Sequence, residues 1–146
     1  MTNDPIVEFC PVARALNLVG DRWSLLIVRD AFDGICRFKD FQKSLGVARN
    51  ILSDRLKKLV ESEILETRAA SDGTAYQEYV LTSKGTSLFT LIVAFRQWGE
   101  TYLFSGNEPH SVLVEAQTQK PIPLMQVVNE QGNILLPSEA YVKKVI

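Results

Sequence analysis

Apolar residues in the first half of the chain recur at helical spacing, and each interruption falls on a residue that stops or starts a helix. Pro11 opens the first run, since proline suits the first helical position, and Val12, Ala15, Leu16 and Val19 carry it to Gly20. Asp21 is a suitable N-cap for a second helix, Arg22 to about Phe32, with Trp23, Leu26 and Ile27 on its buried side. Asp33-Gly34 reads as a turn. Phe38–Leu45 then points Phe38, Phe41 and Leu45 inward, and Gly46 supplies the helix end. A further helix is predicted from Arg49 to about Ser62, with Leu52, Leu56, Leu59 and Val60 as its apolar stripe. Its other side carries Arg49, Asn50, Ser53, Asp54, Lys57 and Lys58.

Beyond this point the period changes. Ile64–Arg68 and Tyr76–Leu81 predict two strands, and the Asp72-Gly73 pair between them favours a hairpin. One long helix is then expected from Thr82 or Ser83 to about Leu103. Leu88, Leu91, Ile92, Phe95, Trp98 and Tyr102 share one side of it, with Phe89 and Val93 on another. Gly106, Asn107 and Pro109 mark a boundary, which divides the chain into an expected domain at 8–104 and a β-rich extension at 105–146. In the extension, a metal-free hairpin of Leu113–Ala116 against Leu124–Val128 is expected. The predicted class is α+β, mainly α. Helix, glycine-centred turn, helix and hairpin make a winged helix-turn-helix, with dimerisation helices at both ends and a β-hairpin-like tail.

Composition changes this picture little: 46% hydrophobic and 23% charged residues suit a packed domain. Charge changes it more. A net charge of -1 argues against a protein that coats nucleic acid. Between Arg37 and Lys58, however, seven basic residues face two acidic ones, and the rest of the chain sums to about minus six. Positive charge is therefore concentrated where phosphates would lie. In such a fold the helix from Arg49 enters the major groove. Arg49 suits guanine and Asn50 suits adenine, with Ser53 also in reach of base edges. Arg37, Lys39, Asp54, Lys57 and Lys58 complete the DNA-facing set, Lys57 and Lys58 as phosphate partners. Arg55 is either another phosphate partner or half of an ion pair with a carboxylate such as Asp40. Arg68 and Thr74 represent the wing, which is poor in positive charge.

Other chemistry is scarce. A lone His110 with Cys10 and Cys36 makes neither a zinc cage nor a disulfide scaffold, so no metal, cofactor or catalytic group is expected. The first nine residues lack a signal-peptide pattern, and no apolar run approaches the ~20 residues of a membrane span. A cytoplasmic protein, bound to the nucleoid at its target promoters, is the expectation.

Several short motifs also occur together in order. Cys10-Pro11, Gly20-Asp21-Arg22-Trp23, Arg37-Phe38-x-Asp40-Phe41, Leu52-Ser53-x-Arg55-Leu56-x-x-Leu59, Glu78-Tyr79-x-Leu81-Thr82-x-x-Gly85 and Trp98 resemble the HxlR family of bacterial transcriptional regulators over about residues 8 to 104. The resemblance implies a dimeric winged-helix protein, broadly similar to MarR-type regulators, acting as repressor or activator on a pseudo-palindromic operator. It would place the dimer interface on the first and last helices, at Val12, Leu16, Leu88, Leu91, Ile92, Phe95, Trp98 and Tyr102. Two recognition helices must stand about one DNA turn apart, ~34 Å, which requires a dimer. Some members use the cysteine matching Cys10 to sense disulfide stress, quinones or aldehydes, so Cys10 is the redox candidate. Its position at a helix start, where the dipole favours negative charge, supports that role, whereas Glu8 opposes it. The alternative is a small apolar residue in the dimer interface. Cys36 lies outside the pattern, as a spectator or a resolving thiol. Two other readings stay open: a small-molecule effector in a cleft lined by Trp23, Phe95, Trp98 and Tyr102, and a winged-helix protein-interaction module.

Overall fold

The computed structural model describes residues 9–145; the expectation placed on Glu8 lies outside them. Among the described residues, six helices and two strands follow in the order α1 (Pro11–Val19), α2 (Arg22–Phe32), α3 (Phe38–Leu45), α4 (Arg49–Glu61), β1 (Leu65–Ala69), β2 (Gln77–Leu81), α5 (Ser83–Thr86) and α6 (Phe89–Tyr102), with a 3₁₀ turn at Pro137–Glu139. The chain divides within α6 into two compact units, one ending at Ile92 and the other beginning at Val93.

In the first unit the helix boundaries follow local chemistry. Asp21 caps α2: its carboxylate accepts the Ser24 N–H at 3.0 Å and the Ser24 hydroxyl at 2.6 Å. Gly46 closes α3 in the left-handed region at φ 61°, which lets the chain turn within three residues into α4. The core is built from one stripe of each element. Ile27 and Val28 of α2, Phe41 of α3, Leu52, Leu56 and Leu59 of α4 and Leu65 of β1 are all fully buried. That packing fixes the rotation of α4, so its polar stripe must face outward. β1 and β2 pair antiparallel from Leu65↔Leu81 to Ala69↔Gln77, and Gly73 turns the hairpin at φ 78°. A mainly helical core with this two-stranded wing is a winged helix-turn-helix.

The expected long helix after Thr82 is broken in two. The Thr82 N–H donates to the Ile64 carbonyl at 3.1 Å, and a Cβ on Gly85 would stand 2.1 Å from that same oxygen. The first turn is thus held against the start of β1, and only glycine fits there. The Leu88 N–H then bonds three residues back to Gly85 at 3.1 Å, and the Ser87 hydroxyl donates to the Lys84 carbonyl at 2.6 Å. This tight turn ends α5 before α6 begins. Leu88, Leu91 and Ile92 lean on the first unit's core, and the Phe89 ring lies 5.4 Å from Phe32.

In the second unit the tail hangs on polar side chains of α6. Arg96 donates to the Ser111 carbonyl at 3.1 Å and hydroxyl at 2.9 Å. Gln97 donates to the Pro123 carbonyl at 3.0 Å and accepts the Met125 N–H at 2.8 Å. The expected hairpin of Leu113–Ala116 with Leu124–Val128 is not formed. Each run folds on its own neighbour instead, through single bridges Val114↔Pro121 and Val128↔Ile134. Local turns cause this: Gln119 at φ 61° and Gly132 at φ 83° reverse the chain after a few residues, and Gln97 already occupies the Met125 N–H.

Candidate nucleic-acid interface

Arg49, Asn50, Ser53, Asp54, Lys57 and Lys58 are all exposed on the side of α4 opposite Leu52, Leu56 and Leu59. Lys39 is exposed on α3, and Arg68 and Thr74 are exposed on the wing. Their charges are not equally available. Asp54 accepts from Lys58 at 3.3 Å and from Arg55, and the Lys58 bond holds its carboxyl below the usual range. Lys57 stands 4.0 Å from Glu61. Arg49 lies 5.0 Å over the Phe38 ring, and neither Arg49 nor Lys39 has an ion pair among the described residues.

Of the two roles open to Arg55, the structure shows the ion pair, with Asp21 and Asp54 as its carboxylates in place of Asp40. Its Nε donates to Asp21 Oδ2 at 2.9 Å, so the cap of α2 is tied to the flank of α4. Burial works against ionisation of Asp21, but the bonds from Ser24 and Arg55 outweigh it and lower its pKa. Arg55 is thereby drawn into the fold rather than toward phosphates.

The wing is set by a residue absent from the expected site. Glu78, only 4% exposed, accepts the Cys36 thiol at 2.8 Å and the Ser71 N–H at 2.6 Å, with Arg68 Nε 3.9 Å away. The Cys36 bond and then the Ser71 bond lower the Glu78 pKa; in return the same carboxylate, followed by burial, pushes the Cys36 thiol up. Cys36 is therefore held as the neutral thiol, which is the unreactive form. Beside this network Arg37 pairs with Asp72 at the wing tip and lies 5.8 Å from the Tyr76 ring. The Arg37 bond takes the Asp72 pKa down to about 2. Arg37 thus braces the wing. A strand pattern alone gives no hint that Glu78 turns inward, because its thiol partner lies 42 residues earlier.

Of the expected interface residues, Val12 and Leu16 on α1 are more than half exposed, as are Phe95, Trp98 and Tyr102 in the second unit. The Trp98 and Tyr102 rings meet at a tilt of 48° with centroids 5.5 Å apart. Leu88, Leu91 and Ile92 are instead partly taken up by their own core. Cys10 is a free thiol at the N-cap of α1, where its sulfur accepts the Ala13 N–H at 3.4 Å. His110 packs against the Phe104 ring at 4.8 Å, and no cluster of three metal-ligating side chains occurs among the described residues. No helix among them is long and apolar enough to cross a membrane.

Residues 18–107 match the HxlR-like helix-turn-helix family. Rv3095 of Mycobacterium tuberculosis, named an HTH-type transcriptional regulator, is 47% identical over 92 residues, which are 63% of this chain and 58% of that protein. The chain therefore spans little more than half the length of this relative. The transcriptional regulator YodB of Bacillus subtilis is 31% identical over 100 residues, 67% of this chain and 89% of YodB. YodB structures in reduced, diamide-treated and quinone-bound forms superpose with TM-scores of 0.57, 0.53 and 0.54. The crystal structure of PA1607, a candidate transcription factor, is 48% identical and matches 96% of this chain and 98% of that one at a TM-score of 0.90. The winged core, its outward polar helix and these likenesses agree: the chain belongs to the HxlR-like helix-turn-helix family, whose named relatives are transcriptional regulators.

Proposed function

We propose that the protein is a sequence-specific DNA-binding transcriptional regulator, a repressor that binds a pseudo-palindromic operator as a homodimer. The observation that carries this reading is the outward stripe of α4. A helix locked by three buried leucines presents Arg49, Asn50 and Ser53 in its first turns, with Lys57 and Lys58 further along. Arg49, Asn50 and Ser53 read base edges; Lys39, Lys57 and Lys58 hold phosphates; Arg68 and Thr74 present the wing. Asp54 sits among the lysines as their counter-charge and orients Lys58. Val12 and Leu16 of α1 supply apolar surface for the second copy in the first unit, and Phe95, Trp98 and Tyr102 of α6 supply it in the second.

Substituting Asn50→Ala or Arg49→Ala and selecting bound duplexes from a random pool tests this directly. Each change should relax selection at one position of each half-site. Unaltered selection in both variants would remove α4 from base recognition.

Cys10 is the candidate signal input. YodB, which resembles this chain, has been crystallised after diamide treatment and with quinone bound. Cys10 is free and sits at a helix cap, so modification would disturb the start of α1 and with it the dimer surface. Diamide should weaken DNA binding by the wild type and leave Cys10→Ser unaffected. Equal responses in the two proteins would remove Cys10 as the sensor.

A further inference from the structure

A cavity of about 350 Å³ opens between the first turn of α3, the first turn of α4 and the wing segment that leads into β2. Its volume falls in the range of small-molecule sites, ~300–1,000 Å³. Phe38 and Tyr79 form fixed walls, because both pack on the core, and Tyr76 forms an exposed outer wall. Three cations line the cavity, and they differ in their commitments. Arg37 is occupied by Asp72, whereas Lys39 and Arg49 have no carboxylate partner among the described residues.

These two kinds of lining ask for one kind of occupant. Inorganic phosphate would meet the cations but gain nothing from three aromatic rings. A neutral aromatic would meet the rings and leave Lys39 and the N–H edge of Arg49 without a counter-charge. A planar aromatic carboxylate satisfies both: its ring packs on Tyr79 and Tyr76, and its carboxylate takes the N–H edge of Arg49, whose face already lies over the Phe38 ring, with Lys39 alongside. We propose that this cavity is an effector site for a planar aromatic carboxylate, and that its occupant competes with DNA for Arg49 and Lys39. The competition rests on the reading that α4 contacts DNA. Reciprocity then requires operator DNA to weaken ligand binding by the same factor.

Calorimetric titration of the full chain with 2-naphthoate tests the site, with neutral 2-naphthylmethanol and inorganic phosphate as separate arms. One saturable site per chain is expected for the naphthoate, with the alcohol and phosphate each roughly tenfold weaker or worse, as befits loss of a charge-assisted contact. Arg49→Gln should weaken naphthoate by a similar factor, and Tyr76→Ala, at an exposed position, should weaken it without unfolding the protein. Absence of saturable binding, equal binding of the alcohol or phosphate, or an unchanged affinity in Arg49→Gln would overturn the site. Naphthoate should also displace a selected duplex from the wild type. Binding that leaves duplex affinity unchanged would overturn the competition. If the unliganded protein selects no duplex at all, the DNA reading fails, while the calorimetry still decides for or against the cavity.

Discussion

Single residues carry much of the fold's specificity, and two of them make sharp predictions. Gly85 admits no side chain because the Ile64 carbonyl lies where a Cβ would be. Gly85→Ala should therefore cost ~1–3 kcal/mol through forced backbone movement, read as a lowered Tm. Glu78 holds the wing tip through Ser71 and the α2–α3 connection through Cys36. Its lowered pKa means that its contribution is present above the ordinary 4.5 and is lost as pH falls through the folded value. Asp72 extends the loss toward its value of about 2. Cys36 behaves oppositely: its raised pKa preserves the contact below its ordinary 9.0 and surrenders it only as pH rises through the higher folded value. The Ser71 amide resonance should thus hold one position across neutral pH and move at both extremes. Glu78→Gln should remove the Glu78 part of the acidic transition and leave only that of Asp72 at about 2. Movement of the resonance near neutrality would contradict this network. Caps such as Asp21 and Gly46 could be read from the sequence because their partners lie within four residues. Glu78 could not, since its function depends on a loop brought to it by the whole fold.

At the level of elements, α4 shows how readable an amphipathic pattern is. Its three buried leucines and its outward face both follow from spacing, and its start at Arg49 agrees with the expected position. Leu56→Ala should destabilise the protein by ~2–5 kcal/mol without altering which DNA it selects. Lys57→Ala should weaken binding to all duplexes alike and reduce the salt slope by about one per half-site. Lys58→Ala should do less, because Asp54 already engages that ammonium. A larger effect at Lys58 than at Lys57 would show that Asp54 does not hold Lys58 back from phosphate. The pattern failed where hydrogen bonds override periodicity. The run from Thr82 keeps helical spacing, yet Thr82 and Gly85 bind it to Ile64 and the helix breaks at Ser87–Leu88. In the tail, apolar runs of strand-like composition pair with their own neighbours because turns at Gln119 and Gly132 intervene.

Across the whole chain, a charge of -1 conceals a basic helix-turn-helix segment within an otherwise acidic protein. That arrangement suits a protein docked by one face on a defined site. The proposed homodimer predicts that sedimentation will find two chains per particle. Trp98→Glu, placed on an exposed apolar stretch, should then yield monomers with much weaker operator binding. A monomeric wild type would refute the dimer. The most direct measurement is selection of random duplexes by the purified protein, followed by titration of the enriched sequence against salt. An enriched pseudo-palindrome with half-sites about one turn apart, ~34 Å, is predicted, with log affinity falling linearly and steeply with log salt. No enriched sequence, with affinity flat in salt, would contradict sequence-specific recognition through α4.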